Sequence, residues 1–594
     1  MDRLMAWDVI VWGGGSGGVA AALQAARSGA TTLLLTPGIW LGGMLSAAGV
    51  SAPDGHELSC WQSGLWGALL RELDQRVPEG LDQNWVSCFG FRPDQAEAVL
   101  QDWVTRETKL CWWNSTQLLD VVRSEDRIEA VVVCHDKVTT QLSAEVLIDG
   151  SDLGDLMALA EVPFRFGWEA QEVWDEPSAP PRDRLERDPF FKAQPIQSPT
   201  WVVMGQCGEG RAPELPLHPP EAPFEHCFDG FGLERMLTYG HLPGGLVMLN
   251  WPIDGNDWHH GLERCIAAEP DRRADLNAEM QAHSSMFLNT LQRCSGGWLQ
   301  PGQGFPGKKP ELALMPYWRE GRRLKGLEVV SERDILPLHP QAKRGPLPMD
   351  EGGECTSIAV GTYVNDHHYP GEDWPLAPKS CRWGGRWTGT PFCISYKALI
   401  SPSTANLLIA DKAFSVSHMA NGATRLQPLI MNIGQAAGLA AAMAVGQRMA
   451  VSDLPIRPLQ EALIQEPQAP AAVMPIWTWP TWHADWRDAQ LRACRDPEGL
   501  TDSGEISREL AAGLTLPTPD QGPSPRYAET VRGQLRTTAE GNWTLHTTKE
   551  SFPLITLEPA VQASLQDTRN GQSLTLLAAH NPWGPWLRVL RVLS

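Results

Sequence analysis

A glycine-rich loop close to the amino terminus constrains the fold of this chain more than any other stretch. Residues Val9–Trp12 form a short, continuous apolar run, which is typical of a strand buried on both faces. Gly13, Gly15 and Gly18 follow with the spacing G-x-G-x-x-G, and the alanine-rich segment after them predicts a helix that ends near Gly29. The order strand, glycine loop, helix is typical of a site for the pyrophosphate of a dinucleotide.

Each glycine in the loop has a separate physical role. Gly13 permits the tight turn, Gly15 lets the backbone approach a pyrophosphate, and Gly18 lets the helix pack closely on the strand. The amino terminus of the helix adds free N–H groups and the positive end of its dipole. A second apolar strand at Thr31–Leu35 completes a β-α-β unit, so we expect a nucleotide-binding α/β domain.

Composition and charge narrow the class of protein. A chain of 594 residues exceeds one hydrophobic core, so roughly two or three domains are expected. The formal net charge of −21 argues against a nucleic-acid partner and an anionic membrane surface. The longest apolar run, Ala436–Val445, is far shorter than the about 20 residues of a membrane span. Met1–Trp7 is too short and too polar for a signal peptide, and we therefore predict a cytoplasmic protein.

The chain divides into four predicted regions. Residues 1–165 alternate strands and helices and predict the first part of the nucleotide-binding domain, with an antiparallel meander before a buried strand at Ala144–Asp149. Residues 166–390 lose this rhythm and predict an inserted α+β substrate or cap domain. Residues 391–455 return to the α/β pattern and predict its second part. Residues 475–594 hold several short strand-like segments and predict a small β-barrel or sandwich.

The segment after the second strand departs from the usual pattern of a dinucleotide site. An acidic residue usually binds the adenosine ribose at this place, whereas this chain has the neutral Thr36. Ribose binding is therefore expected to be weaker, or to come from elsewhere. Gly42 and Gly43 follow, and they would let the backbone run close to a flat ligand.

A second informative stretch lies after residue 400. Leu407–Ala410 predicts a buried strand, and Pro428 suits the first turn of a long helix. Gly434 and Gly438 lie four residues apart on one face of that helix, which permits close approach of a strand or a cofactor.

Three blocks of residues give the chain a family resemblance. They are the glycine loop with Trp40–Gly43, the strand end Leu147–Asp155, and the block Asn406–Gly438. In these blocks the chain resembles the FAD-dependent oxidoreductase family of the glutathione-reductase-like flavoprotein superfamily, and distantly the fumarate reductase flavoproteins. The resemblance covers residues 1 to about 450 and not the tail. It implies an α/β fold in which a glutathione-reductase-type, Rossmann-like FAD-binding domain carries an inserted α+β cap domain, with a small C-terminal β domain after it.

The resemblance also implies which residues bind FAD. The glycine loop would hold the pyrophosphate, and the backbone at Gly42–Gly43 would run close to the flavin. Asp149 would lie near the adenosine, and Asp411 would contact the ribityl hydroxyls. The helix around Gly434–Gln435 would point its amino terminus at the flavin N1–C2=O2 edge and stabilise the reduced, anionic flavin. Thr36 stands where the family usually carries glutamate. The full implied cofactor set is Gly13, Gly15, Ser16, Gly18, Thr36, Gly42, Gly43, Met44, Asp149, Asp411, Gly434 and Gln435.

The candidate catalytic residues are a histidine and three arginines. His418 and Arg425 flank a glycine turn before the long helix; His418 could act as a general base or donor, and Arg425 could bind a carboxylate. A structural hydrogen bond to the backbone is the alternative for each. Arg319 and Arg323 could clamp an anionic substrate, or form structural salt bridges. His367–His368 resembles a fragment of a metal site without partner ligands, so no metal is predicted.

We interpret the chain as an enzyme with non-covalent FAD that transfers a hydride between a small organic substrate and flavin N5. One alternative is a flavin monooxygenase or halogenase, although no second G-x-G-x-x-G for NAD(P)H is obvious. Another is a non-catalytic flavoprotein scaffold whose β tail docks a partner. All three require the glycine loop and the helix beside Pro428 to bind opposite ends of one dinucleotide. The substrate, the direction of transfer and the oligomeric state stay open.

Overall fold

A mixed, mostly parallel sheet carries the glycine loop. The computed structural model describes residues 5–371, 373–538 and 541–594. The strands of its amino-terminal region are β1 (Met5–Trp12), β2 (Thr32–Leu35), β3 (Leu110–Trp113), β4 (Gln117–Ser124), β5 (Arg127–His135) and β6 (Val138–Asp149). The helices of this region are α1 (Ser16–Arg27), α2 (Gly64–Arg76), α3 (Pro93–Arg106) and α4 (Asp155–Leu159).

Strand β1 lies between β2 and β6, and it is parallel to both. β3 extends the parallel part beyond β2, whereas β4 and β5 join β6 as antiparallel strands. Residues 110–113 belong to the parallel edge, so the antiparallel meander consists of β4, β5 and the continuous strand β6. Trp12 and Asp149 are paired at the ends of β1 and β6. The carboxyl ends of these strands thus meet at one edge, which is where ligands bind in sheets of this kind.

The inserted region forms its own antiparallel sheet and a long helix. Its strands are β7 (Phe164–Arg165), β8 (Val203–Cys207), β9 (Gly240–Leu242), β10 (Leu246–Leu249), β11 (Leu299–Pro301), β12 (Arg323–Leu324), β13 (Ser357–Gly361), β14 (Ser380–Trp383) and β15 (Arg386–Gly389). Its helices are α5 (Arg182–Arg187), α6 (Phe190–Ala193), α7 (Leu233–Thr238), α8 (Pro270–Cys294) and α9 (Glu332–Ile335). Four strands pair in the order β11-β8-β10-β9, and α8 packs against β8 and β11.

The chain then returns to the parallel sheet. The elements of this part are β16 (Phe392–Ser395), β17 (Leu407–Ile409), α10 (His418–Thr424), α11 (Gln427–Gln447), α12 (Ile456–Gln465) and α13 (Trp486–Arg495). β17 pairs in parallel with the end of β6. Pro428 lies in the first turn of α11, as the sequence predicts. Residues 418–424 form a helix instead of the predicted turn, because Ser417 Oγ accepts a hydrogen bond from Ala420 N–H and caps it.

Helix α11 is the central helix of the fold. It packs along α1 and also contacts α2 and β13. By length and composition it is the one helix in the described ranges that could cross a membrane, but 78% of its most apolar window is buried inside the fold. A core helix meets the same criteria.

The tail forms a closed barrel. Its strands are β18 (Glu529–Thr537), β19 (Trp543–His546), β20 (Ser551–Thr556), β21 (Ser573–His580) and β22 (Leu587–Val592), with α14 (Pro559–Asp567) beside them. Short 3₁₀ turns elsewhere in the chain include Gly43–Leu45 and Tyr396–Leu399. The barrel has a hydrophobic core of its own, whereas the parallel sheet and the inserted region share one continuous core. This matches the predicted barrel or sandwich.

Candidate active site

The glycine loop packs tightly on the end of β6. Gly13 has a φ of +108°, and a side-chain carbon there would lie 2.5 Å from the backbone of Gly150. A side-chain carbon at Gly18 would lie 2.2 Å from the carbonyl oxygen of Gly13. Side chains at these positions would push the helix away from the strand. The roles that the spacing predicts for these two glycines as backbone turn and close contact are therefore visible in the fold.

The loop offers free backbone donors next to a buried carboxylate. The N–H groups of Gly14, Gly15 and Ser16 make no hydrogen bond within the described part of the chain. The next N–H group, of Gly17, donates to Asp411 Oδ2 at 2.9 Å. Successive free N–H groups at a helix amino terminus are a typical anion site. Asp411 thus fixes the loop from behind and leaves its first donors for a ligand.

A cleft of about 510 Å³ opens beside this loop. It is lined by Gly13–Gly15, Thr36–Trp40, Ala47, Ser151–Leu153, Asp155, Arg273, Asn277, Leu314–Pro316 and Trp318. We call it the dinucleotide cleft. Its volume lies within the usual range of ligand pockets, about 300 to 1,000 Å³. Free N–H donors, closely packed glycines and an apolar wall together fit an adenine dinucleotide.

Thr36 lies in the cleft wall, but its hydroxyl is already used. Its Oγ1 donates to the carbonyl oxygen of Gly38 at 2.9 Å and accepts from Trp112 Nε1 at 3.0 Å. Its hydrogen is therefore not free for a ribose hydroxyl. One acceptor lone pair of Oγ1 is left for a ribose hydroxyl, and the weaker ribose binding expected from the sequence stays a prediction.

The predicted flavin-passing segment lies against the glycine loop. Ser16 Oγ donates to the carbonyl oxygen of Gly42 at 2.8 Å, and a side-chain carbon at Gly43 would lie 2.9 Å from Gly15 Cα. Met44 is buried in the hydrophobic core. Ser16, Gly42 and Gly43 therefore lie together beside the glycine loop. The cleft wall described above includes Gly15 but none of the others.

Asp149 ends β6 and is hydrogen-bonded to the turn that follows, while its place near the adenosine stays a prediction. Its carboxylate accepts hydrogen bonds from the N–H and hydroxyl of Ser151 and from the N–H of Met157. The side chain is fully buried, and burial raises its pKa to about 6. It shapes the turn after β6, and its neighbours Ser151 and Asp152 line the cleft instead.

Gly434 and Gln435 pack inside the protein and not toward the cleft. A side-chain carbon at Gly434 would lie 2.1 Å from the carbonyl oxygen of Gly17 in α1. The Gln435 amide accepts from Leu65 N–H and donates to Gln24 and to the carbonyl of Ala469. The two positions that the resemblance assigns to the flavin therefore hold helices α1, α2 and α11 together.

The two candidate arginines of the inserted region form buried salt bridges. Arg319 donates to Asp257 Oδ1 at 3.0 Å and to Thr200 Oγ1 at 2.9 Å. Arg323 contacts Glu169 at 2.8 Å and Glu320 at 3.0 Å. Both guanidinium groups are almost fully buried and paired. The geometry thus favours structural salt bridges for Arg319 and Arg323 over a clamp for an anionic substrate.

Arg425 ends a chain of buried polar contacts. Its guanidinium donates to Tyr317 and, at 2.8 Å, to Asp366 Oδ2. Asp366 also contacts His368 at 3.0 Å, and His368 contacts Asp257 at 2.7 Å. Burial alone would raise the pKa of Asp366, but His368 and Arg425 hold it well below its usual range. A charged carboxylate is therefore kept beside the start of α11.

His418 is buried with both ring nitrogens occupied. Nδ1 lies 2.9 Å from Glu320 Oε1, and Nε2 lies 2.6 Å from the hydroxyl of Tyr369. Its ring packs on Trp168 with centroids 3.9 Å apart. Burial, with Arg323 nearby, holds the pKa of His418 well below its usual range. Burial also raises the pKa of Glu320 to about 7.

A partly exposed group of polar side chains adjoins Arg425, and we call it the polar recess. It consists of Asp54, Tyr239, Tyr363, Asp366 and Arg386, all half-buried. Within the described residues, the Asp54 carboxylate and the Tyr239 hydroxyl have no hydrogen-bond partner. Burial raises the pKa of Asp54 well above its usual value, and Glu57 adds to the effect.

Sequence reasoning missed Asp54 and Tyr239. The one signal was an aspartate in the turn Ala52-Pro53-Asp54-Gly55. No motif connects it to Tyr239, since the two are brought together only by the fold.

The structure shows no candidate metal centre in the ranges that it describes, since these contain no cluster of three or more His, Cys, Asp and Glu side chains able to hold an ion. His367 instead contacts the Tyr369 hydroxyl at 2.7 Å and the carbonyl oxygen of Met419 at 3.0 Å.

A family model described as FAD dependent oxidoreductase matches residues 8–463. The chain belongs to the FAD-dependent oxidoreductase family. FAD is therefore its cofactor, and the dinucleotide cleft is where the residues fit it. As a member of this family the protein is an enzyme.

Several solved flavoenzyme structures are similar to parts of this FAD-dependent oxidoreductase. The anhydrotetracycline hydroxylase OxyS from Streptomyces rimosus has 13% identity and a TM-score of 0.24, with 35% of this chain and 39% of that one covered. The myxobacterial chondrochloren halogenase CndH has 13% identity and a TM-score of 0.32, with 54% and 65% covered. A geranylgeranyl bacteriochlorophyll reductase-like protein from Thermoplasma acidophilum has 10% identity and a TM-score of 0.33, with 86% and 97% covered.

The chain thus spans less than two thirds of the length of the hydroxylase and of the halogenase. No curated protein matches it in sequence.

Proposed function

We propose that this FAD-dependent oxidoreductase exchanges a hydride between FAD and a small hydroxylated molecule held in the polar recess. Gly13, Gly15 and the amino terminus of α1 would hold the pyrophosphate of the cofactor, with Asp411 fixing the loop. When bound, FAD supplies a two-electron acceptor or donor of hydride. The protein residues supply binding, orientation and proton transfer.

The observation that carries the proposal is the pair of unpartnered polar groups in the recess. Both side chains are half-buried and make no hydrogen bond within the described residues, so their polar atoms are free to bind a ligand. Asp54 and Tyr239 interact electrostatically with each other and with Asp366. A substrate hydroxyl would donate to Asp54 and accept from Tyr239. Their free hydrogen-bonding capacity thus matches an alcohol or its carbonyl product.

The charges around Asp54 suit a proton transfer. Asp54 is surrounded by Glu57, Asp366, Arg386 and Arg425, and by the hydroxyls of Tyr239 and Tyr363. A carboxyl with a raised pKa is a stronger base than a free aspartate, and it exchanges protons closer to neutral pH. We assign Asp54 to take the proton from the substrate hydroxyl in the oxidative direction, and to return it in the other.

Arg386 contributes a cation at the same place. Its Nη1 lies 2.6 Å from Cys88 Sγ, and its guanidinium stacks over Trp586 at 4.8 Å. Asp54 is thus balanced by a cation that the barrel residue Trp586 holds in position. This placement supports a substrate with several oxygen atoms.

The test is anaerobic reduction of the bound flavin by hydroxylated molecules. The loss of the visible absorbance of the flavin measures the rate. We expect Asp54→Asn to retain FAD and to slow flavin reduction about 100-fold, the size typical for loss of a general base. In the wild type the rate rises with pH as Asp54 loses its proton, and this dependence disappears in Asp54→Asn. Asp136→Asn, which changes an exposed aspartate, is the matched control.

Two results would contradict the proposal. One is an unchanged rate and pH profile in Asp54→Asn. The other is oxygen uptake coupled to NADPH oxidation with hydroxylation of the substrate, which would favour the monooxygenase alternative.

A further inference from the structure

Helix α8 of the inserted region forms part of the wall of the dinucleotide cleft. It contributes Arg273 and Asn277, which both line the cleft. The two residues are four positions apart and therefore lie on the same face of the helix, one turn from each other. The inserted region thus presents two polar side chains to the cofactor site.

Asn277 has unused hydrogen-bonding capacity. Its Oδ1 is buried and has no hydrogen-bond partner within the described residues. A buried amide oxygen without a partner is unfavourable, and native proteins rarely keep one. Its position in the cleft wall indicates that a ligand is the missing partner.

Arg273 is held loosely enough to serve a ligand. It contacts Asp155 Oδ1 at 3.1 Å, and about a third of each side chain is exposed. Arg322 contacts the same oxygen at 3.4 Å. Asp155 therefore keeps a cationic partner when Arg273 turns to a ligand or is removed.

The usual source of ribose binding is missing from this chain. Thr36 replaces the acidic residue expected at this place, and its hydroxyl is bonded to Gly38 and Trp112. Thr36 therefore offers the adenosine end no donor and no charge, and a second partner there would strengthen cofactor binding.

We propose that α8 binds the adenosine half of FAD through Arg273 and Asn277. An asparagine amide can pair with an adenine edge or a ribose hydroxyl, and a guanidinium can bind phosphate oxygens or stack on a base. The inference rests on FAD as the cofactor and is independent of the reaction proposed above. It also makes FAD binding and the position of the inserted region thermodynamically linked.

The test is the affinity of the holoenzyme for FAD. Purified wild type, Arg273→Ala, Asn277→Ala and the control Arg272→Ala are diluted, and the fluorescence of released FAD gives the dissociation constant. We expect each of the first two variants to weaken binding about tenfold, the loss typical of one hydrogen bond to a ligand. Arg272, whose side chain is 52% exposed and 3.7 Å from Glu263, is expected to change it less than about twofold.

Displacement by ADP locates the contact on the cofactor. ADP carries the adenosine diphosphate half of FAD and lacks the flavin. We expect ADP to displace FAD from the wild type, because ADP keeps the half of the cofactor that α8 would bind. In the two variants the dissociation constant of ADP should rise by the same factor as that of FAD.

Two outcomes would overturn the proposal. They are FAD binding within about twofold of the wild type in both variants, and weaker FAD binding with an unchanged ADP constant. Circular dichroism reports whether each variant is folded. If an alanine variant does not fold, the dissociation constants of FAD and ADP are measured for Arg273→Lys and Asn277→Ser instead, and the same two outcomes apply. Both readouts measure binding, so their failure is distinct from a failure of the proposed reaction.

Discussion

His418 is enclosed by Glu320, Tyr369 and Trp168, and its chemistry follows from these neighbours. With its proton on Nδ1, the neutral ring donates to Glu320 and accepts from the Tyr369 hydroxyl. It has no nitrogen left for a substrate. We therefore interpret His418 as a positioning residue that holds Tyr369, rather than as the general base that the sequence suggested.

The variant His418→Ala tests this role. We expect it to retain FAD, because the residue is not in the cleft wall, and to lower the rate of flavin reduction about tenfold through loss of the Tyr369 contact. Stopped-flow reduction and flavin content measure the two effects. His339→Ala changes an exposed histidine and should leave both unchanged. A loss of FAD in His418→Ala would contradict this assignment.

At the residue scale, the sequence located the backbone of the site better than its chemistry. Gly13 and Gly18 are predictable because only glycine allows their turn and their close contacts. Asp54 and Asn277 are not predictable in this way. They were selected because their side chains have atoms without a hydrogen-bond partner in the fold, and the spacing of residues in a sequence does not show this. The weaker ribose contact expected at Thr36 stays a prediction, and no pattern in the sequence pointed to α8 as part of the cleft wall.

At the scale of elements, α1 and α11 pack along each other although they are far apart in sequence. Gly434 and Gly438 lie against Gly17 and Ala21, and a side-chain carbon at either glycine would lie 2.1 Å from a carbonyl oxygen of α1. The small residues thus allow the two helices to touch along their backbones. Gly17 lies in the first turn of α1, directly after the first glycines of the loop, so we expect the packing of α11 on α1 to affect the shape of the cofactor site.

We expect Gly434→Ala to separate these helices, to lower stability by about 1 to 3 kcal/mol and to weaken FAD binding, because overpacking moves the backbone of the loop. Gly446→Ala is the matched control on the same helix. A side-chain carbon at Gly446 would have nothing within 4 Å, so this change should stabilise the helix by about 0.5 to 1 kcal/mol. Thermal unfolding and FAD release measure both. Equal behaviour of the two variants would refute this view of the contact.

Helices and strands with clear periodicity were predictable from sequence, and the irregular ones were not. The alanine-rich helix α1 and the apolar strands on either side of it have the sequence pattern of a β-α-β unit. Helix α10 was missed because it is short and contains Gly422. Strand β6 begins at Val138, before the predicted strand at Ala144–Asp149, and its continuity was not predicted because its first part is largely exposed and polar.

At the scale of the whole molecule, the barrel is attached through a buried polar contact. Asn581 Nδ2 donates to Asp82 Oδ1 at 2.7 Å, and Trp586 Nε1 donates to Asp82 Oδ2 at 3.3 Å. Arg588 lies 3.8 Å from the same carboxylate. The barrel itself follows from the strand pattern, but this attachment joins residues about 500 positions apart and was not foreseen.

We expect Asp82→Ala to loosen the barrel, because it leaves Arg588 buried without its carboxylate, a change that typically costs about 3 to 5 kcal/mol. Limited proteolysis should then cut between residues 515 and 528 and release the barrel. Asp520→Ala, in an exposed loop where Thr518 is the side-chain partner, is the control. Resistance of Asp82→Ala equal to that of the control would show that other contacts hold the barrel.

The hydrogen bond between Gly17 and Asp411 joins residues 394 positions apart. During synthesis the first strands and α1 leave the ribosome long before β17 and α11 exist. The amino-terminal β-α-β unit must therefore wait, with its apolar helix face uncovered, until most of the polypeptide has been made. Such late closure slows folding and exposes the nascent chain to aggregation, because the cofactor site is completed only after Asp411 has been made.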